Sequence, residues 1–174
     1  MNAPSIFITY NPTSMSDQTL AFRLHAIGAV NGFRMLLPDR SNSNSILDTE
    51  TKARINSTDF FVLFSSVKMT NLVQEEIAYA FKQWHDKSKI IVVYNNAFDG
   101  KNLINTEQCT EIVIDTRTQS LDMITKEIIS TINKQQHNTI KQLQKTNQNQ
   151  KELITLLGIG AGLLLLNAFT TQEK

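Results

Sequence analysis

A doubly wound α/β fold with a five-stranded parallel sheet is predicted by three observations. Apolar runs rich in β-branched and aromatic residues alternate with stretches of helical period, and they lie too far apart to be joined as hairpins. Two of the runs, "DFFVLFS" (59–65) and "KIIVVY" (89–94), are continuously apolar, as strands covered on both faces are. With 174 residues, 41% of them hydrophobic, the chain suffices for one well-buried domain and an appendage but not for two domains.

"SIFITY" (5–10) reads as the first strand, and "NPTSMSD" breaks it and supplies helix N-caps. In the helix that follows, Leu20, Leu24, Ile27 and Val30 share one apolar face, and the Asn31-Gly32 pair closes it. "FRMLLP" (33–38) is the second strand, ended by Pro38. "DRSNSNS" has no apolar residue to pack and is expected to be exposed and mobile. A second helix is expected over Ile46 to Ile55, the third strand over 59–65, and a third helix from about Asn71 to Asp86. The fourth strand follows at 89–94, and "EIVID" (111–115) is the fifth. Past Ser120 the period turns helical, with Leu121, Ile124, Ile128 and Ile132 as a core-facing stripe. The expected organisation is therefore a flavodoxin-like domain over 1–132, a polar helical stalk over 133–151 and an apolar C-terminal helix over 152–174.

A net charge of +1 gives no field that would recruit nucleic acid. The single cysteine, Cys109, permits no internal disulfide and suits a reducing compartment, and no signal peptide precedes the first strand, so a cytoplasmic protein is expected. The tail "LITLLGIGAGLLLLNAF" (153–169) carries no charge; as a helix its seventeen residues span about 25 Å, just short of a hydrocarbon core of about 30 Å. Gly158 and Gly162 form a G-x-x-x-G face on it that lets two helices approach closely. It serves either as a membrane anchor or as an oligomerisation helix, and both imply an assembled protein.

Ligands of doubly wound sheets bind beyond the carboxyl ends of the strands. No G-x-G-x-x-G or G-x-x-x-x-G-K occurs, which removes support for dinucleotide oxidoreductases and P-loop enzymes. The acidic residues of a phosphate-accepting receiver are missing, with Asn11 and Ser65 in their places. His25, His85 and His137 lack ligand spacing, so no metal is expected, and no G-x-S-x-G serves a hydrolase nucleophile. Two glutamates in "VQEEIAYAF" (73–81) remain. If Val73, Ile77, Ala80, Phe81 and Trp84 define the apolar face, Glu75 falls about 180° from its centre and Glu76 about 85°. Glu75 is then expected in water. Glu76 is expected at the boundary of core and solvent, partly desolvated yet within reach of a ligand.

Four segments in order resemble the TIR (Toll/interleukin-1 receptor) domain family over roughly Ser5 to Ser130. "IFITY" is similar to the family's first-strand box, "GFRMLLPDR" to its second strand and BB loop, "INSTDFFVLFSS" to its third strand, and "LVQEEIAYA" to the helix that carries the glutamate of its enzymatic members. The resemblance implies NAD+ as substrate and no cofactor, with Glu76 as the catalytic carboxylate. It places Tyr10 and Asn11 near the dinucleotide, Asp39, Arg40 and Ile46 on the BB loop, Ser65 at the end of the third strand, and Leu72 where many active members have tryptophan. A single carboxylate is chemically sufficient, because nicotinamide departs neutral and needs no acid. Water attack gives ADP-ribose and intramolecular attack by adenine gives a cyclic isomer; the sequence leaves both open. The family implies a homo-oligomeric enzyme of bacterial-type immunity, such as defence against phage. Two alternatives are a non-catalytic TIR scaffold anchored at a membrane and a nucleoside deoxyribosyltransferase of related fold.

Overall fold

The computed structural model of the chain describes residues 3–40, 47–65, 69–95, 107–138 and 141. Five strands, β1 (Ser5–Thr9), β2 (Arg34–Leu36), β3 (Phe60–Ser65), β4 (Ile90–Asn95) and β5 (Thr110–Ile114), form one sheet. Every pairing is parallel and the order is β2-β1-β3-β4-β5. This is the doubly wound, flavodoxin-like arrangement.

Helices α1 (Met15–Val30), α2 (Thr49–Asn56) and α3 (Asn71–Gln83) connect the first four strands, and α4, helical over 121–138, follows β5. Two apolar layers sandwich the sheet. On one face Ile6, Ile8, Val62, Phe64 and Val93 meet Leu20 and Leu24 of α1 and Ile124 and Ile128 of α4. On the other Phe7, Phe61, Leu63 and Val92 meet Ile55 of α2 and Val73, Ile77 and Ala80 of α3. Side chains alternate sides along a strand, so parity in β1 and β3 assigns each residue to one layer. All of β3 is buried, and β4 is buried except at Asn95, its last residue. The edge strand β5 alternates instead, with Ile112 and Ile114 inside and Val113 exposed.

Several boundaries and faces differ from those expected. Val30 is 88% exposed, because the buried face of α1 runs through Leu20, Ala21, Leu24 and Gly28. Gly28 is there for space: a Cβ would lie 2.5 Å from the Met35 sulfur of β2. Leu121 is exposed and Ile129 takes its place in the α4 stripe. Helix α2 begins at Thr49, where the Asp48 carboxylate accepts the Thr51 N–H at 2.6 Å and acts as N-cap. Helix α3 ends at Gln83, not near Asp86, because Trp84 is extended and the Lys87 ammonium takes over the last carbonyls, donating to Phe81 O and to Trp84 O at 2.6 Å.

The chain divides into two compact units, Met1–Ile132 and Asn133–Lys174. Residues 133–138 and 141 of the second unit are helical. The rest of the stalk and the whole apolar tail lie outside the described residues, as does the part of the polar loop expected to be mobile that follows Arg40. Among the described residues no helix is long and apolar enough to cross a membrane.

Candidate active site at the β1/β3 switch point

The strand order reverses direction between β1 and β3, where a doubly wound sheet opens a crevice at its carboxyl edge. Thr9 ends β1 and Ser65 ends β3. Thr9 pairs in register with Leu63, so Ser65 lies one pleat further along, and both share the face of Phe7, Phe61 and Leu63, on which α3 packs. Helix α3 brings Glu76 to the same place.

Glu76 is 1% exposed. Its carboxylate is held in a bidentate fork by Arg40, with Nη1 to Oε1 at 2.7 Å and Nη2 to Oε2 at 2.9 Å, and the Thr9 hydroxyl also donates to Oε2. The Arg40 guanidinium additionally reaches Tyr10 O at 3.3 Å and stands 5.5 Å from the centre of the Tyr10 ring. Tyr10 is itself fixed by an edge-to-face contact with Phe22. Thr9, Arg40 and Glu76, separated by 31 and 36 residues, thus meet with two of them donating to the carboxylate of the third.

This geometry corrects two expectations. Glu76 is buried, not at a boundary, because α3 ends before Trp84 and Phe81 is only half-buried. With Val73, Ile77 and Ala80 as the face, its centre moves to within about 67° of Glu76. Arg40, expected on an exposed polar loop, has a side chain only 14% exposed, because it follows the buried charge. Glu75 is exposed as expected but is not merely solvated, since it accepts the Leu47 N–H at 2.9 Å and ties the approach to α2 onto α3.

Burial pushes the Glu76 carboxyl above the usual glutamate range; the Arg40 charge and its hydrogen bonds, then the Thr9 hydroxyl, pull it back in part, and Asp48 nearby raises it. Burial likewise raises the Tyr10 phenol, with Arg40 opposing. Burial also pushes the Cys109 thiol up to about 11, which leaves it protonated and unfit as a nucleophile at neutral pH.

The other expected residues are placed unequally. Ser65 is buried and among the described residues its hydroxyl has no hydrogen-bond partner; the same holds for the buried hydroxyl oxygen of Thr70 at the α3 N-cap and for Arg40 Nε. Buried polar atoms left this way are uncommon and call for a partner such as water, an ion or a ligand. Leu72 is half-buried one turn before Glu76 on the same helix face. Asn11 is buried, but its carboxamide oxygen accepts from the Thr13 N–H at 3.0 Å and the Thr13 hydroxyl at 2.8 Å, which closes the turn into α1. Asp39 is exposed beside Arg40, and Ile46 lies outside the described residues. Thr9 was missed as a site residue. The signal was available in its parity: a polar residue that shares the face of Phe7 at the last position of a buried strand has to find a polar partner.

Among the described residues no group of three His, Cys, Asp or Glu is placed to hold a metal ion. A hollow lined by Thr58, Asp59, Trp84, His85, Asp86 and Lys89 opens at the amino-terminal edge, away from the crevice.

Thr9→Val is expected to remove a contribution that favours ionised Glu76. The acid limb of any Glu76-dependent activity then moves to higher pH, and stability at neutral pH falls by about 1–2 kcal/mol. Thr9→Ser should restore both; a pH–rate profile of the three proteins checks this.

No protein-family model matches the chain, and no curated protein matches it in sequence. Solved structures do resemble it. The flavodiiron core of Flv1 from Synechocystis sp. PCC6803, determined after metal soaking, superposes with a TM-score of 0.53 at 13% identity over 71% of this chain. The match spans 34% of that protein, about a third of its length. The CMP N-glycosidase BcmB of Clostridium botulinum gives a TM-score of 0.43 at 12% identity, covering 71% of this chain and 97% of that one. At this identity the likeness concerns the fold alone.

Proposed function

We propose that this chain is a TIR-type NAD+ nucleosidase or cyclase, active on assembly and serving immune (anti-phage) signalling. The observation that carries the reading is Glu76: a buried carboxylate at the β1/β3 switch point, pushed above its ordinary range, beside an arginine whose Nε has no partner among the described residues. Such a carboxylate suits an oxocarbenium-like ribose, which it stabilises electrostatically where little water screens the charge.

In the reaction the C1′–N bond of NAD+ breaks and its electron pair passes to the nicotinamide ring nitrogen, so a cationic ring leaves neutral. Glu76 faces the ribose and balances the charge that develops on it. A water oxygen then bonds to C1′ and loses a proton to bulk water, giving ADP-ribose; attack by an adenine nitrogen gives the cyclic isomer instead. No general acid is required for departure. The segments similar to the TIR family (6–10, 32–40, 55–66 and 72–80) supply the choice of NAD+, and the biological role rests on that resemblance.

The test is release of nicotinamide from NAD+ by the purified full chain, measured at low and high protein concentration. Release that rises more than linearly with concentration supports an assembled enzyme. No release at either concentration overturns the reading.

One observation favours a second reading, a TIR scaffold without activity. The Arg40 fork and Thr9 occupy both Glu76 oxygens, as in a purely structural ion pair. In that case Glu76 replacements alter stability and leave nicotinamide release absent throughout.

A further inference from the structure

Three of the roughly four acceptor positions of Glu76 are taken, and the Arg40 charge cancels the negative charge that a developing cationic sugar needs. If Glu76 acts on a ribose, Arg40 has to release it. Separation alone would leave two opposite charges poorly solvated, the situation that makes broken buried pairs unfavourable. A ligand removes that obstacle only by replacing both partners: a cationic group for Glu76 and an anionic group for Arg40.

The surroundings of Arg40 suit such an exchange. Its Nη2 already touches Tyr10 O and its Cζ stands 5.5 Å from the centre of the Tyr10 ring, so the guanidinium keeps neighbours when the carboxylate lets go, and among the described residues its Nε has no partner. Its side chain is the more exposed member of the pair, at 14% against 1%, and so is the one that solvent reaches. A planar fork that matches a carboxylate matches a phosphate equally well.

We propose that Arg40 is the anion-binding residue of this site and exchanges Glu76 for a substrate phosphate, so that the site selects phosphorylated N-glycosides with a cationic base. The inference rests on the reading of Glu76 as the ribose-facing carboxylate and adds the residue that receives the phosphate and the exchange by which it does so. A nucleotide with a cationic ring satisfies both halves of the divided ion pair. The corresponding nucleoside satisfies one, and a neutral nucleoside satisfies neither.

The experiment is calorimetric binding to the full chain of nicotinamide mononucleotide, nicotinamide riboside and ADP-ribose. The wild type is expected to bind the mononucleotide at least tenfold more tightly than the riboside, and equal affinities would overturn the proposal. Glu76→Gln supplies a second test, because it frees Arg40 from its internal competitor: ADP-ribose, anionic but without a cationic ring, should bind it about tenfold or more tightly than it binds the wild type. Adding Arg40→Gln should abolish that gain. If Arg40 only neutralises Glu76, ADP-ribose affinity is unchanged by Glu76→Gln, and the proposal falls. Cleavage of NAD+ by wild type alongside that result would leave the nucleosidase reading standing, whereas binding of none of the three ligands together with no nicotinamide release from NAD+ overturns both.

Discussion

Glu76→Gln reduces nicotinamide release from NAD+ by at least about 100-fold, the range seen when one electrostatic stabiliser of a transition state is removed. The amide keeps the shape of the carboxylate and can still accept from Arg40 or Thr9, so the packing of α3 on Phe7, Leu63 and Ile55 is preserved. What disappears is the negative charge facing the ribose. Glu75→Gln is the matched control. It sits on the exposed side of α3 and touches only the Leu47 N–H, so it retains most of the activity. Melting temperatures within a few degrees for all three proteins would tie the difference to chemistry. Equal release by wild type and Glu76→Gln would remove Glu76 from the reaction.

Arg40→Ala destabilises the protein by about 3 kcal/mol at neutral pH, since it leaves Glu76 as an uncompensated buried charge. The low end of the range for buried pairs applies because Arg40 keeps a solvent-facing side. The loss is pH-dependent, with a definite sign. Glu76 already has its folded-state value raised above the ordinary 4.5, and Arg40 is the source of the largest opposing contribution, so its removal raises the value further. A carboxyl raised in this way binds a proton more tightly in the folded state. Stability is therefore fully retained below the unfolded value and falls as pH climbs through the folded one. Chemical denaturation of Arg40→Ala at pH 5 and pH 8 should show the larger deficit at pH 8. Adding Glu76→Gln should return most of it, because the orphaned charge is then gone. A deficit independent of pH and of Glu76 would assign Arg40 a packing role alone.

The sheet was legible in the sequence because buried parallel strands are written as unbroken apolar runs, and Phe60–Ser65 and Ile90–Tyr94 are written so. Face assignments were less so. Val30 and Leu121 have the right period and the wrong place: Val30 is the last residue of α1 and Leu121 the first of α4, and both are exposed. For the site, helical phase distinguished Glu76 from Glu75, yet understated how deep Glu76 lies, because half-buried Phe81 and non-helical Trp84 were counted in the face. Arg40 was found only as part of a loop resemblance. No local pattern announces that a polar segment 36 residues away will fold its one cation onto a particular carboxylate. That contact is decided by tertiary proximity and by the cost of an isolated buried charge.

The alternation of β1 and β3 between two layers has a consequence for how the chain can change. Ile6, Ile8 and Tyr10 face α1, whereas Phe7 and Thr9 face α3. One residue inserted into or deleted from β1 would swap the two sets. It would present Tyr10 or Ile8 to Glu76 and turn the Thr9 hydroxyl toward the apolar layer of Leu20 and Leu24. The carboxylate is thus guarded by the same reading frame that keeps the interior apolar, and a lineage cannot lose one by indel while keeping the other. Point substitution is the route by which this chain can retire its site and keep its fold.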